Sequence, residues 1–172
     1  MTSYKERLNK VTTLIFDVDG VLTNGDIIIF NGEMSRTMNS KDGYALQYAS
    51  KNGYRILVIT GGQSEEMKSR LLEIGVTEVC LSSFNKIKVY NQLKEKYSFT
   101  DEEVLYMGDD IPDYQVMQQV GVATCPQDAC VEIKEISHYQ SPFNGGRHCV
   151  RDVIEQTLRV QEKWFGEKAF EW

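Results

Sequence analysis

The run Leu14-Ile15-Phe16 passes straight into Asp17-Val18-Asp19-Gly20, and this junction restricts the fold more tightly than any other stretch of the chain. An unbroken apolar segment bounded by a turn signal reads as a strand buried on both faces. Its tip then carries two carboxylates one residue apart. Successive strand side chains alternate faces, so Asp17 and Asp19 enter one pocket only while the backbone stays extended, after which Gly20 allows a sharp turn. Two like charges at the mouth of a core require a cation. Taken alone, such a pair is more often a solvated acidic turn. The weight of the argument therefore falls on what recurs downstream.

Residues 1–11 are polar and read as a short helix or arm before a strand over Thr12–Phe16. Ile27-Ile28-Ile29-Phe30, Asn31-Gly32 and Arg36-Thr37-Met38 form the pattern of a β-hairpin, spanning about 26–39, that projects from the site end of that strand. Ser40 is placed to cap a helix over Lys41–Asn52, which Gly53 stops. Strands over Arg55–Ile59, Glu78–Leu81, Val104–Met107 and Val122–Thr124 then alternate with helices over Ser64–Ile74, Lys86–Lys96, Pro112–Val120, Ala129–Ile136 and Val150–Lys163. Asp128 is the expected cap of the helix from Ala129, and Thr100-Asp101-Glu102-Glu103 caps at most one turn. This alternation with short connections predicts one domain over 1–172, a doubly wound, mostly parallel, Rossmann-like α/β sheet.

A chain of 172 residues with 41% hydrophobic content can close one such core. Its formal charge of −6 argues against nucleic acid as a partner, because a phosphate backbone is gripped by basic patches. No apolar stretch reaches the length of a membrane span, and the N-terminal residues lack the apolar centre of a signal peptide. A cytoplasmic protein without a membrane partner is expected. Cys80, Cys125, Cys130 and Cys149 form no C-x-x-C pair and read as buried free thiols.

In sheets of this type the ligand crevice lies beyond the carboxyl ends of the strands. Three strands here end in reactive groups: Asp17 and Asp19, then Thr60, then Asp109 and Asp110. A random acidic turn has no reason to share an edge with a hydroxyl and a second acidic pair. Oxygen-only ligands suit Mg²⁺, a hard cation that partners phosphates. Lys86 opens a helix after Ser82-Ser83-Phe84-Asn85, where backbone donors and the helix dipole also favour an anion. Alone, Lys86 would read as an exposed helical lysine and Thr60 as a strand-end hydroxyl. With the carboxylates they fit phosphoryl transfer, in which the protein positions groups and neutralises charge.

D-x-D-G-V at Asp17–Val21, the apolar-Thr-Gly of Ile59-Thr60-Gly61, Lys86, and G-D-D-x-x-D at Gly108–Asp113 resemble the motifs of the haloacid dehalogenase superfamily of phosphohydrolases. The motifs occur in that family's order and cover nearly the whole chain. The resemblance implies that Asp17 is a nucleophile forming an aspartyl-phosphate and that Asp19 is the acid and base. It implies Thr60 and Lys86 on the phosphoryl oxygens. Mg²⁺ would be held by Asp17, the Asp19 main-chain carbonyl and Asp109, with Asp110, Asp113 and Gly61 in support.

Between Asp19 and Thr60 there is room only for the hairpin and one helix, so no cap domain fits, and the chain resembles the capless subgroup. That resemblance implies a homotetramer whose sites lie between subunits, with the apolar Ile27–Phe30 hairpin as a contact and the tail of about 164–172 able to approach a neighbour's site. It implies a phosphorylated keto-sugar acid as substrate. An eight-carbon acid leads; a nine-carbon acid is the alternative, because Gly62 matches neither the basic residue nor the Glu found there in the two groups. Arg36, Lys41, Asp42, Gly62, Arg70 and Arg147 are the substrate-binding candidates, with Gly145-Gly146 read as flexible. A receiver-like signalling domain uses the same residue types, but with its phospho-acceptor on a middle strand. A non-catalytic assembly subunit would not need every catalytic position filled.

Overall fold

The computed structural model describes residues Ser3–Trp172. Its apolar runs form β1 (Thr13–Phe16), β4 (Arg55–Ile59), β5 (Glu78–Cys80), β6 (Val104–Met107), β7 (Val122–Cys125) and the two-residue β8 (Tyr139–Gln140), in the order β5-β4-β1-β6-β7-β8. Every neighbouring pair is parallel. The connecting helices are α1 (Tyr4–Leu8), α2 (Ser40–Lys51), α3 (Glu65–Glu73), α4 (Lys86–Tyr97), α5 (Tyr114–Gln119), α6 (Val131–Ile136) and α7 (Cys149–Val160). The doubly wound sheet expected from the sequence is present, and no cap domain interrupts it among the described residues. Two of the reactive strands flank the third: β1 lies between β4 and β6, with Phe16 opposite both Val58 and Met107.

The two-residue strand period divides the core. Leu14, Phe16, Ile56, Val58, Leu105 and Met107 face a layer that includes Leu46 of α2, Leu71 of α3 and Val153 of α7. Ile15, Leu57, Ile59 and Tyr106 face Tyr90 of α4, Val116 of α5 and Ile133 of α6. Burying each large apolar side chain contributes about 1.5–3 kcal/mol, enough to hold the central strands rigid under the loops they carry. No helix among the described residues is long and apolar enough to cross a membrane.

Local chemistry moved several boundaries. The second arm of the hairpin is β3 (Glu33–Ser35), paired with β2 (Ile28–Phe30), rather than the expected Arg36–Met38. Asn31 and Gly32 take φ of 50° and 82°, a two-residue turn that places Glu33 directly opposite Phe30 and so fixes the register. Asn39, not Ser40, caps α2, its side chain accepting from Lys41 N at 2.9 Å. Asp128 caps no helix; its Oδ1 accepts from Gly145 N at 2.9 Å. Gly145 and Gly146 are buried and tightly packed, which corrects the flexible reading: a Cβ on Gly145 would collide with the Gly20 carbonyl, and Gly146 N donates to Val21 O at 2.8 Å.

The C-terminal residues turn back along α2. Trp164 meets Tyr48 edge-on at 5.3 Å between ring centroids, and Trp172 stacks on Tyr44 at 5.8 Å. Tyr48 Oη donates to Lys163 O and accepts from Gly166 N, both at 2.9 Å. Ile28, Ile29, Phe30 and Met34 leave the hairpin with an exposed apolar surface.

Candidate active site

Asp17 stands one residue beyond β1, its backbone N–H still in the ladder with Met107 O at 3.1 Å. Its Oδ1 accepts from Val18 N, and its Oδ2 lies 2.9 Å from Lys86 Nζ. Lys86 is the first residue of α4, capped by Asn85, and is buried. The same ammonium donates to Asp113 Oδ1 at 2.8 Å. Asp113 is fully buried and also accepts from Tyr106 Oη at 2.6 Å and Asp109 N at 3.2 Å. Its bonding capacity is thereby taken up, and it braces the loop after β6 from beneath.

Asp109 has the opposite character. Its Oδ1 is buried without a hydrogen-bond partner. Carboxylate oxygens of Asp17, Asp109 and Asp113 lie within 4.8 Å of one another, an acidic cluster with the spacing of a divalent metal site. The orphaned oxygen is the observation that fits a cation, since an unpaired buried anionic oxygen is otherwise costly. Gly20, at φ 83°, makes room for it: a Cβ there would overlap the Asp109 carboxylate.

The charges explain the proton affinities. Burial first, then the negative charges of Asp17 and Asp113, push Asp109 up to about 8. Burial and Asp113 likewise raise Asp17, against the pull of Lys86. Burial works against the charge on Lys86, but Asp113 and Asp17 outweigh it and hold its pKa above the ordinary lysine value. Three carboxylates share one lysine here, and the surplus negative charge is what a metal would neutralise.

The remaining sequence candidates divide. Thr60 is buried at the tip of β4, its Oγ1 accepting from Gly62 N at 3.0 Å across Gly61. Asp110 N points toward Asp113 Oδ2 at 3.5 Å, in a one-turn capping box over Ile111–Asp113. Asp19 does not turn its carboxylate into the acidic cluster: both oxygens are held by Arg36, from Nε at 2.5 Å and Nη2 at 3.1 Å. Asp42 is fully buried and accepts from His148 N and Arg151 N, so that it joins α2 to α7. Arg36 and Arg70 line one cavity of about 620 Å³ between the hairpin and α3, whereas Lys41 lines a separate one beside His148 and Arg151. Arg147 is exposed on the loop packed over Gly20 and Thr23. Sequence reading missed Tyr106; the signal was a phenol inside the otherwise apolar Val104–Met107 run, three residues before Asp109.

A parallel sheet that offers carboxylates, a lysine and a threonine hydroxyl at adjacent strand tips is built for phosphohydrolase chemistry. Residues 73–154 match the model of the haloacid dehalogenase-like hydrolase family. The 3-deoxy-D-manno-octulosonate 8-phosphate phosphatase of Escherichia coli K12 is 33% identical over 158 residues, which cover 91% of this chain and 84% of that protein. The phosphatase of the same name from Yersinia pestis superposes with a TM-score of 0.92 at 32% identity, covering 95% of this chain and 89% of that one. The corresponding enzyme from Moraxella catarrhalis, solved with a magnesium ion, a phosphate ion and a KDO molecule, gives 0.91 at 26% identity, covering 94% and 93%. The chain belongs to the haloacid dehalogenase-like hydrolases, and it is a phosphatase.

Proposed function

We propose that the chain hydrolyses 3-deoxy-D-manno-octulosonate 8-phosphate, a step of lipopolysaccharide synthesis, using Mg²⁺ and an aspartyl-phosphate intermediate. The observation that carries this reading is that Asp17 lies 2.9 Å from Lys86 Nζ and shares an acidic cluster with Asp109, whose Oδ1 is buried without a partner. The relatives named above supply the sugar acid. Asp17 attacks phosphorus as the bond to the leaving oxygen breaks, and Asp19 gives that oxygen its proton. Water then cleaves the aspartyl-phosphate, passing its proton to Asp19 and releasing inorganic phosphate. Lys86 and Thr60 hold the phosphoryl oxygens, and Asp113 and Asp110 keep Lys86 and the loop after β6 in place. Asp17, Asp109 and the Asp19 carbonyl hold Mg²⁺, which supplies positive charge against the phosphoryl group.

The lack of a cap domain among the described residues and the exposed hairpin support a homotetramer in which neighbours complete the pocket. Four free thiols accord with a reducing cytoplasm. Because Gly62 brings no side chain to the site, the nine-carbon 2-keto-3-deoxynononate 9-phosphate is the second candidate. Phosphate release from both sugar acids and from glucose 6-phosphate, with Mg²⁺ and with excess chelator, tests the proposal. Much the highest kcat/KM for the eight-carbon acid, abolished by chelator, is expected. Equal efficiency on glucose 6-phosphate would refute a sugar-acid enzyme.

A further inference from the structure

Arg36 closes the site from the base of the hairpin. Its guanidinium grips both oxygens of Asp19 in a fork, and its side chain is only 12% exposed. It also forms the common wall of two spaces. On the inner side lies a recess of about 10 Å³ bounded by Asp19, Thr60 and Gly62, room for no more than a water. On the outer side lies the cavity of about 620 Å³ between the hairpin and α3, lined by Met34, Met67 and Arg70.

Asp19 is needed at the leaving oxygen, yet both its oxygens are engaged by Arg36, although 36% of its side chain is exposed, and the recess beside it has room for no more than a water. We infer that Arg36 is an exchange gate, released from Asp19 only when a second anionic group on the substrate's leaving portion enters the outer cavity and takes its guanidinium. This rests on the phosphatase role proposed for Asp19. Arginine stays charged at any working pH and presents a fork that fits one carboxylate as well as another, so moving it between carboxylates costs little. A neutral leaving group offers no replacement partner, and Asp19 stays held. The gate therefore selects phosphomonoesters with a second negative charge through kcat as well as KM.

Arg36→Ala and Arg36→Lys test this on phenyl phosphate and on 3-deoxy-D-manno-octulosonate 8-phosphate, after circular dichroism shows that each variant is folded. Arg36→Ala should raise kcat/KM for phenyl phosphate while lowering that for the sugar acid by roughly tenfold or more, the scale of a lost charge-assisted contact. Arg36→Lys keeps the charge without the fork and should fall between, which serves if the alanine variant does not fold. Parallel losses on both substrates, or an unchanged rate on phenyl phosphate, would overturn the gate. A wild-type enzyme that turns over phenyl phosphate faster than the sugar-acid phosphate would also overturn the gate, whereas one that prefers 2-keto-3-deoxynononate 9-phosphate to the eight-carbon acid would sink the substrate proposal alone and leave the phenyl phosphate comparison to decide the gate.

Discussion

Lys86 Nζ lies 2.9 Å from Asp17 Oδ2 and 2.8 Å from Asp113 Oδ1, so one buried ammonium serves two carboxylates on different loops. Removing it leaves both acids buried without their cation. Lys86→Met should therefore destabilise the metal-free protein by roughly 3–5 kcal/mol in urea unfolding. Tyr106→Phe, which removes one bond to Asp113 from an otherwise apolar site, should cost about 1.5–3 kcal/mol. A Lys86→Met variant as stable as the parent would mean that the network does not brace the loops.

Asp17→Asn keeps the shape of the proposed nucleophile and removes its charge. Turnover should drop by roughly 10⁴ or more. Because the variant also relieves like-charge crowding, its metal-free melting temperature at pH 8 should equal or exceed that of the parent. Substantial turnover in Asp17→Asn would exclude the aspartyl-phosphate route.

Stability of the metal-free protein should fall as pH rises from the ordinary aspartate value of 3.8 to about 8, the raised value of Asp109. Asp109 and Asp17 keep a proton in the folded protein at pH values where the unfolded chain has already lost it. Folding then takes up protons, and each step upward in pH disfavours it until the folded groups ionise too. Mg²⁺ held as proposed would displace those protons, so its stabilising effect should grow over the same range. Thermal melts with and without Mg²⁺ check both signs. A flat metal-free profile would show that the cluster carries no surplus charge.

Gly145→Ala would drive a methyl group into the Gly20 carbonyl, in backbone that cannot swing aside. A loss of about 1–3 kcal/mol is expected, as for other overpacked sites. Mg²⁺ affinity should weaken with it, since Gly20 adjoins the Asp109 carboxylate. Unaltered stability and metal binding would mean that the 143–147 loop yields.

Ending the chain at Lys163 removes the ring contacts of Trp164 with Tyr48 and of Trp172 with Tyr44. Melting and urea unfolding should show a loss of about 1–3 kcal/mol, the scale of two aromatic pairs. The tail folds against its own α2, so this structural cost comes before any effect on substrate. A fully stable truncated protein with altered KM would return the tail to the neighbour's site.

The sequence determined the sheet and its chemical edge, because both rest on local rules. Apolar runs of strand length, glycine stops and capping residues fixed β1, β4 and β6 within a residue, and with them the strand tips bearing Asp17, Thr60 and Asp109. Asn31-Gly32 announced the hairpin, although only its two left-handed residues in three dimensions set which side chains pair. What a side chain points at depends on elements far away along the chain, and periodicity says nothing of that. Hence the link that Asp42 makes between α2 and α7 was not visible in the sequence, while Gly145-Gly146 read as slack and is a close backbone contact. Tyr106 passed for a core residue until the fold set Asp113 over its hydroxyl. The pairing of Arg36 with Asp19 joins residues 17 apart across a turn and a hairpin, and only the folded backbone brings the fork onto the carboxylate.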